Sequence, residues 1–261
     1  MKFTTLMATA AMATGLFGTG QVAAAPVGLE LLLLVDVSGS VNATEYNLQK
    51  TGYVNAFRST TVQNAILASQ GGAIAVRYVE WSGAAQQSTL VNWTLIDSTA
   101  SANSFASTLA GVSRAFSGST AIQSAINTQY TGFGAEVGGT NNGFESLRQV
   151  IDISGDGTNN DGIGGTLGRD HALAAGVDAI NGIAILGSEF GVDVYYQNFV
   201  VGGANSFYTS ADSFADFGVA IERKLVREIS NDVPEPSSVA LLGLGLVGMT
   251  TLRRRKNKNS V

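Results

Sequence analysis

The chain has 261 residues, a net charge of −5 and no cysteine, which rules out a disulfide framework, a zinc–thiolate site and a cysteine nucleophile. Lys2 and five basic residues near the C-terminus account for six of the 15 Lys and Arg, and Glu235 for one of the 20 acids. Residues 26–232 therefore carry nine basic against 19 acidic side chains, a balance of −10. An exterior this acidic argues against nucleic acid and suits partners reached through divalent cations.

Residues 1–25 hold one early Lys2, an uncharged stretch rich in Ala, Leu, Met and Phe, and then Ala23-Ala24-Ala25. That is the layout of a secretory signal peptide, with cleavage by signal peptidase expected near Ala24. One domain is expected from residue 26 to 232, a length that accommodates a single large α/β core.

The domain opens on Leu31-Leu32-Leu33-Leu34-Val35-Asp36-Val37-Ser38-Gly39-Ser40. An apolar run without alternation reads as a strand buried on both faces of a parallel sheet, which puts Asp36 at its carboxyl end, where open α/β sheets bind ligands. Thr44 then caps a helix expected to run to about Ser69, ended by Gly71-Gly72. Residues 73–81 and 88–95 read as an antiparallel hairpin, residues 98–109 as an alanine-rich helix, and residues 121–130 as a helix after the loop Ser117-Gly118-Ser119-Thr120. A short helical turn is expected at residues 141–147. Arg148 to Ser154 forms a second buried strand that also ends on an acid, in Gly155-Asp156-Gly157. The Asn- and Gly-rich stretch 158–166 is an irregular loop. A helix over 169–180, a strand over 183–186, a turn or short strand at 199–202 and an amphipathic helix over 214–229 complete the domain. This order predicts a doubly wound, mainly parallel α/β sheet with one antiparallel edge strand and helices on both faces.

After residue 232 come Val233-Pro234-Glu235-Pro236, an apolar run from Val239 to Leu252, and Arg253-Arg254-Arg255-Lys256. The run is slightly short for a transmembrane helix, and its basic flank would keep the C-terminus cytoplasmic and everything before it outside. The three parts in this order resemble the PEP-CTERM sorting signal of Gram-negative bacteria, here residues 233–261. The resemblance implies processing by an exosortase, a transient inner-membrane anchor, and release to the cell surface or extracellular matrix. A plain single-pass anchor is the alternative.

Carboxylates and hydroxyls at two strand ends suggest a site of hard oxygen donors for a divalent cation. Asp36-x-Ser38-x-Ser40, Thr120 and Asp156 together resemble the metal-ion-dependent adhesion site, or MIDAS, of von Willebrand factor A-type domains. That resemblance implies Mg²⁺ (or Mn²⁺ or Ca²⁺) held directly by the Ser38, Ser40 and Thr120 hydroxyls, with Asp36 and Asp156 orienting hydroxyls and water from behind. One coordination position would be left for an acidic group of a protein or exopolysaccharide. Ser117 and Ser119 compete with Thr120 as donor, and Thr120 could instead cap the helix that follows. Asp152 and Asp161 compete with Asp156; Asp152 reads as a structural partner within its strand and Asp161 as a solvated loop acid.

Blocks at residues 35–41, 79–83, 116–122, 151–157 and 224–229 resemble a secreted bacterial branch of A-type domains without assigned activity. The implied function is metal-dependent binding or adhesion, with a structural matrix component as the alternative. The single histidine, His171, lies at a helix start and no serine stands in a Gly-x-Ser-x-Gly elbow, so no enzyme is expected. A triad would have to combine Ser38 or Ser154 with His171 and an acid. Glu80 is expected either to line the ligand surface or to pair with an arginine such as Arg77 or Arg148.

Overall fold

The computed structural model describes residues 24–230. Nearly all of the expected signal peptide, and the whole of the expected sorting tail with its apolar run, lie outside them. No helix among the described residues is long and apolar enough to cross a membrane.

A short strand, β1 (Ala25–Val27), precedes the central strand β2 (Leu29–Asp36), every residue of which is buried. Leu31, Leu33 and Val35 point into one core layer and Leu32 and Leu34 into the other, so strand alternation buries both faces. Helices α1 (Ala43–Arg58) and α2 (Thr60–Ala68) follow, then the hairpin β3 (Ile74–Trp81) and β4 (Gln87–Ile96), and α3 (Thr99–Ala110). Next come α4 (Ile122–Gln129), β5 (Phe144–Ser146), β6 (Gln149–Gly155), α5 (Leu167–Ala175), β7 (Ala179–Ile185) and α6 (Val192–Tyr195). The described chain closes with β8 (Gly202–Gly203), β9 (Tyr208–Ala211) and α7 (Phe217–Ser230).

The main sheet runs β4, β3, β2, β6, β7. Strands β2, β3, β6 and β7 are parallel, and β4 is the antiparallel edge. The outer edge of β7 is shared: its first residues pair antiparallel with β8 and its last pair parallel with β9. Helices α1, α2, α3 and α7 supply the core on one face, and α4, α5 and α6 the core on the other. The expected doubly wound α/β class is the observed one, with a second short antiparallel pairing at β8.

Several boundaries differ from the sequence reading, each for a local reason. Asn42 rather than Thr44 caps α1: its Oδ1 accepts from the backbone N–H of Thr44 and of Glu45, and the Glu45 carboxylate accepts from the Asn42 N–H. The long helix expected to Ser69 breaks at Ser59, whose backbone is extended and whose hydroxyl caps α2. Gly176, at φ +116°, ends α5 before β7, so residues 179–180 are strand and not helix. The turn expected at 141–147 is instead strand β5, which pairs with β1 in a separate two-stranded parallel sheet. Residues 199–202 divide between a helical turn ending at Val200 and the start of β8.

Candidate metal centre

Parallel pairing of β2 with β6 in the register Val35 to Ser154 brings the carboxyl ends of both strands to one rim of the sheet. Asp36 ends β2, and Asp156 follows the last residue of β6. The loop before α4 is drawn to the same rim: the Gly39 N–H donates to the Gly118 carbonyl at 2.7 Å, and the Asn160 N–H donates to the Thr120 carbonyl at 2.8 Å.

All five expected side chains meet there. Asp36 Oδ1 accepts from the Ser38 N–H at 2.7 Å. The Ser38 and Ser40 hydroxyls lie 3.1 Å apart, the Thr120 hydroxyl lies 3.2 Å from Ser38 Oγ, and Ser40 Oγ donates to Asp156 Oδ1 at 2.7 Å. The competing residues are held differently. Thr120 is buried with its hydroxyl turned to Ser38, and α4 has no side-chain cap. Ser117 and Ser119 are exposed, as is Ser40, but among the described residues only the Ser40 hydroxyl of these three bonds Ser38 and Asp156. Asp152 is held by Lys224, and Asp161 accepts from the Ala84 N–H, fastening a neighbouring loop.

Two buried carboxylate oxygens at this rim, Asp36 Oδ2 and Asp156 Oδ2, have no hydrogen-bond partner. Burial, reinforced by the neighbouring Asp156 charge and opposed by the Ser38 N–H, pushes the Asp36 carboxyl up to about 7. Unpartnered buried carboxylates are costly, and a cation beside them would relieve that cost. The donor set of three neutral hydroxyls and two carboxylates has the oxygen chemistry that small divalent cations take. Among the described residues no group of three or more His, Cys, Asp or Glu is placed to hold a metal; the hydroxyls make up the set here.

Residues the sequence reading passed over hold the rim in shape. The Arg114 guanidinium donates to the Val37 and Ser38 carbonyls, each at 2.8 Å, and so clamps the serine loop from behind. It is the one basic residue between Arg77 and Arg148, which is the signal that could have found it. Asn160 Oδ1 accepts from the Thr120 N–H. Gly155 is required by space, since a Cβ there would come within 2.6 Å of both Asp36 Oδ2 and Tyr196 OH. Glu189, on the loop after β7, binds the N–H and hydroxyl of Thr158 and adds an exposed carboxylate next to Gly157.

Glu80 corrects the sequence reading. It pairs with neither Arg77 nor Arg148; the Tyr46 hydroxyl and the Ala115 N–H donate to it at 2.9 and 2.8 Å, and burial raises its pKa. Two of the parts considered for a hydrolytic triad are bonded elsewhere. Ser154 is sealed in the core against Gln49 and Tyr53, while the exposed His171 bonds Asn127.

A family model described as a protein of unknown function, DUF1194, matches residues 26–233, and a PEP-CTERM protein-sorting motif matches residues 232–256. The chain belongs to the DUF1194 family. The fold of this chain is that of von Willebrand factor A-type domains. No curated protein matches the chain. Among solved structures, it is similar to proximal thread matrix protein 1 from the mussel byssus with a zinc-occupied MIDAS motif. The two share 15% identity at a TM-score of 0.57, covering 79% of this chain and 49% of that one. The pilus adhesin SpaC from Lactobacillus rhamnosus GG is similar at 15% identity and a TM-score of 0.55, covering 78% of this chain and 31% of SpaC. The chain thus spans half or less of the length of these structures, and at such identities the likeness is one of fold. The sorting motif implies export through the membrane and processing by exosortase.

Proposed function

We propose that this DUF1194 protein is an exported binding protein whose strand-end rim captures an acidic group of a protein or exopolysaccharide through a divalent cation. The observation that carries the reading is that Asp36 and Asp156 each keep one buried carboxylate oxygen without a partner while the other binds the Ser38–Ser40 loop, where three hydroxyls meet. Ser38, Ser40 and Thr120 would hold the cation; Asp156 orients the Ser40 hydroxyl, and Asp36, fixed by the Ser38 N–H, supplies charge from behind. A bound cation would supply an electrophilic point able to take one further oxygen. The all-oxygen donor set favours Mg²⁺, Mn²⁺ or Ca²⁺ over the zinc of the mussel protein's structure, since zinc sites usually include nitrogen or sulfur. Glu189 and the rim acids repel anions when no cation is present, which makes capture of an acid depend on the metal. Because Ser154 and His171 are engaged elsewhere, we read the protein as non-enzymatic.

One observation favours a structural matrix role instead. The Ser40–Asp156 and Ser38–Thr120 contacts already join three separate loops, so a cation there would also brace them. Retention on an immobilised carboxylated polymer separates the readings. Capture predicts retention in Mg²⁺, release by EDTA, and loss in Asp36→Ala. If EDTA lowers the melting temperature and leaves retention unchanged, the capture reading is wrong and the bracing one stands. Residence at the cell surface or in the matrix belongs to the same proposal, resting on the sorting motif.

A further inference from the structure

A second polar site lies away from the rim, under the first half of β3. Arg77 stands four residues before Trp81, or about 13 Å of strand from the rim end of β3, on the face covered by α4. Its environment is unusual for a half-buried cation. One terminal nitrogen donates to the Thr89 hydroxyl, while Nε is buried with no partner. No carboxylate among the described residues pairs with it. The buried acid on the same face of the neighbouring strand, Glu30, is bound by Asn142 instead. Burial pulls the Arg77 pKa below its ordinary value, as expected for a charge without a counter-ion.

This guanidinium lines a pocket of about 560 Å³ formed with the end of α4 and the segment after it, where Thr128, Gln129, Thr131 and Thr140 make the wall. The far wall is fixed: Trp93 Nε1 and Asn142 Nδ2 both donate to the Gly132 carbonyl, at 2.7 and 3.1 Å. The guanidinium lies directly against this wall, since a Cβ at Gly132 would meet Arg77 Nη1. The volume falls in the range of small-molecule sites. A lone, uncompensated guanidinium selects a planar oxyanion, and hydroxyl and amide walls suit a ligand rich in hydroxyl groups.

We propose that the Arg77 pocket is a metal-independent binding site for an oxyanion carried on a polyhydroxylated frame, of the kind a uronic acid presents. The protein then has two anion-selective sites: one that needs a cation at the sheet rim, and one that uses its own arginine.

The experiment is calorimetric titration of the full-length chain in EDTA with glucuronate, sulfate and glucose, repeated on Arg77→Gln, Thr128→Glu and Asp36→Ala. Saturable glucuronate binding is expected, with competition by sulfate and none by glucose. Arg77→Gln should weaken it at least about tenfold by removing the charge-assisted hydrogen bonds. Thr128→Glu, at an exposed position that leaves the core untouched, should weaken it similarly by putting a carboxylate beside the arginine. Asp36→Ala should leave it unchanged, so the outcome is independent of the rim site. Absence of saturable binding at millimolar glucuronate, or binding as tight as the parent's in both Arg77→Gln and Thr128→Glu, would overturn the proposal.

Discussion

Asp152 and Asp36 are fully buried carboxylates on neighbouring central strands, and they are treated in opposite ways. Asp152, in mid-strand, lies 2.7 Å from Lys224 Nζ, and the same lysine reaches Glu228 at 2.6 Å, itself bonded by Asn181. Asp36, at the strand end, has one backbone N–H and no basic group paired with it among the described residues. Glu30 falls between: its buried carboxylate is bound by the Asn142 amide but by no charge. The gradation teaches that a buried acid with an internal counter-charge is part of the scaffold, whereas one left without a counter-charge beside converging hydroxyls is where the proposed cation would sit.

The sharpest break of this contrast is Lys224→Met, which would leave Asp152 and Glu228 buried without their cation. Urea unfolding at pH 7 should show a loss of about 3–5 kcal/mol. A loss under about 1 kcal/mol would mean that the α7 lysine is incidental to the scaffold.

Glu30 sharpens the middle case through pH. Burial raises its carboxyl from 4.5 to about 7. In the unfolded chain it ionises near 4.5, while in the folded chain it keeps its proton, so its contribution to stability is complete below pH 4.5 and is lost as pH rises to about 7. Glu30→Gln keeps an acceptor for Asn142 and has no charge to bury. The variant should match the parent at pH 4 and exceed it by up to about 3 kcal/mol at pH 8, from 1.36 kcal/mol per pH unit across that window. Equal stability at pH 8 would show that water reaches Glu30 in solution.

The smallest effect is expected at Asp36. In EDTA, Asp36→Asn should melt no lower than the parent, because the charge it removes has no compensating partner and its Oδ1 can still accept from Ser38. A clear drop in melting temperature would place Asp36 with Asp152 in the scaffold.

What was legible in the sequence follows the same division. The Leu31–Asp36 run and the acid at Asp156 fix two adjacent strand ends, because a parallel strand buried on both faces leaves a strong apolar signature. The full set of Asp36, Ser38, Ser40, Thr120 and Asp156 came from the resemblance to a MIDAS; strand patterning by itself carried only the two ends. The Lys224–Asp152 pair was not legible, since nothing in the spacing brings α7 against β6. Strands β1 and β5 were missed because three residues carry too little periodicity, and the α1 cap because Asn42 lies outside the apolar stripe that marks the helix. Arg77 looked like a partner for Glu80. The two are three residues apart on one strand and so point to opposite faces of the sheet, which is why Glu80 met Tyr46 and Arg77 was left to its own pocket.

The central claim is that five oxygen-bearing side chains at the sheet rim hold a divalent cation. Calorimetric titration of Mg²⁺ into the full-length chain at neutral pH, beside Asp36→Asn, tests it most directly. Saturable binding at one site is predicted, weakened about 10- to 100-fold in the variant by loss of the supporting charge. No binding at millimolar Mg²⁺, or the same binding in both proteins, would contradict it.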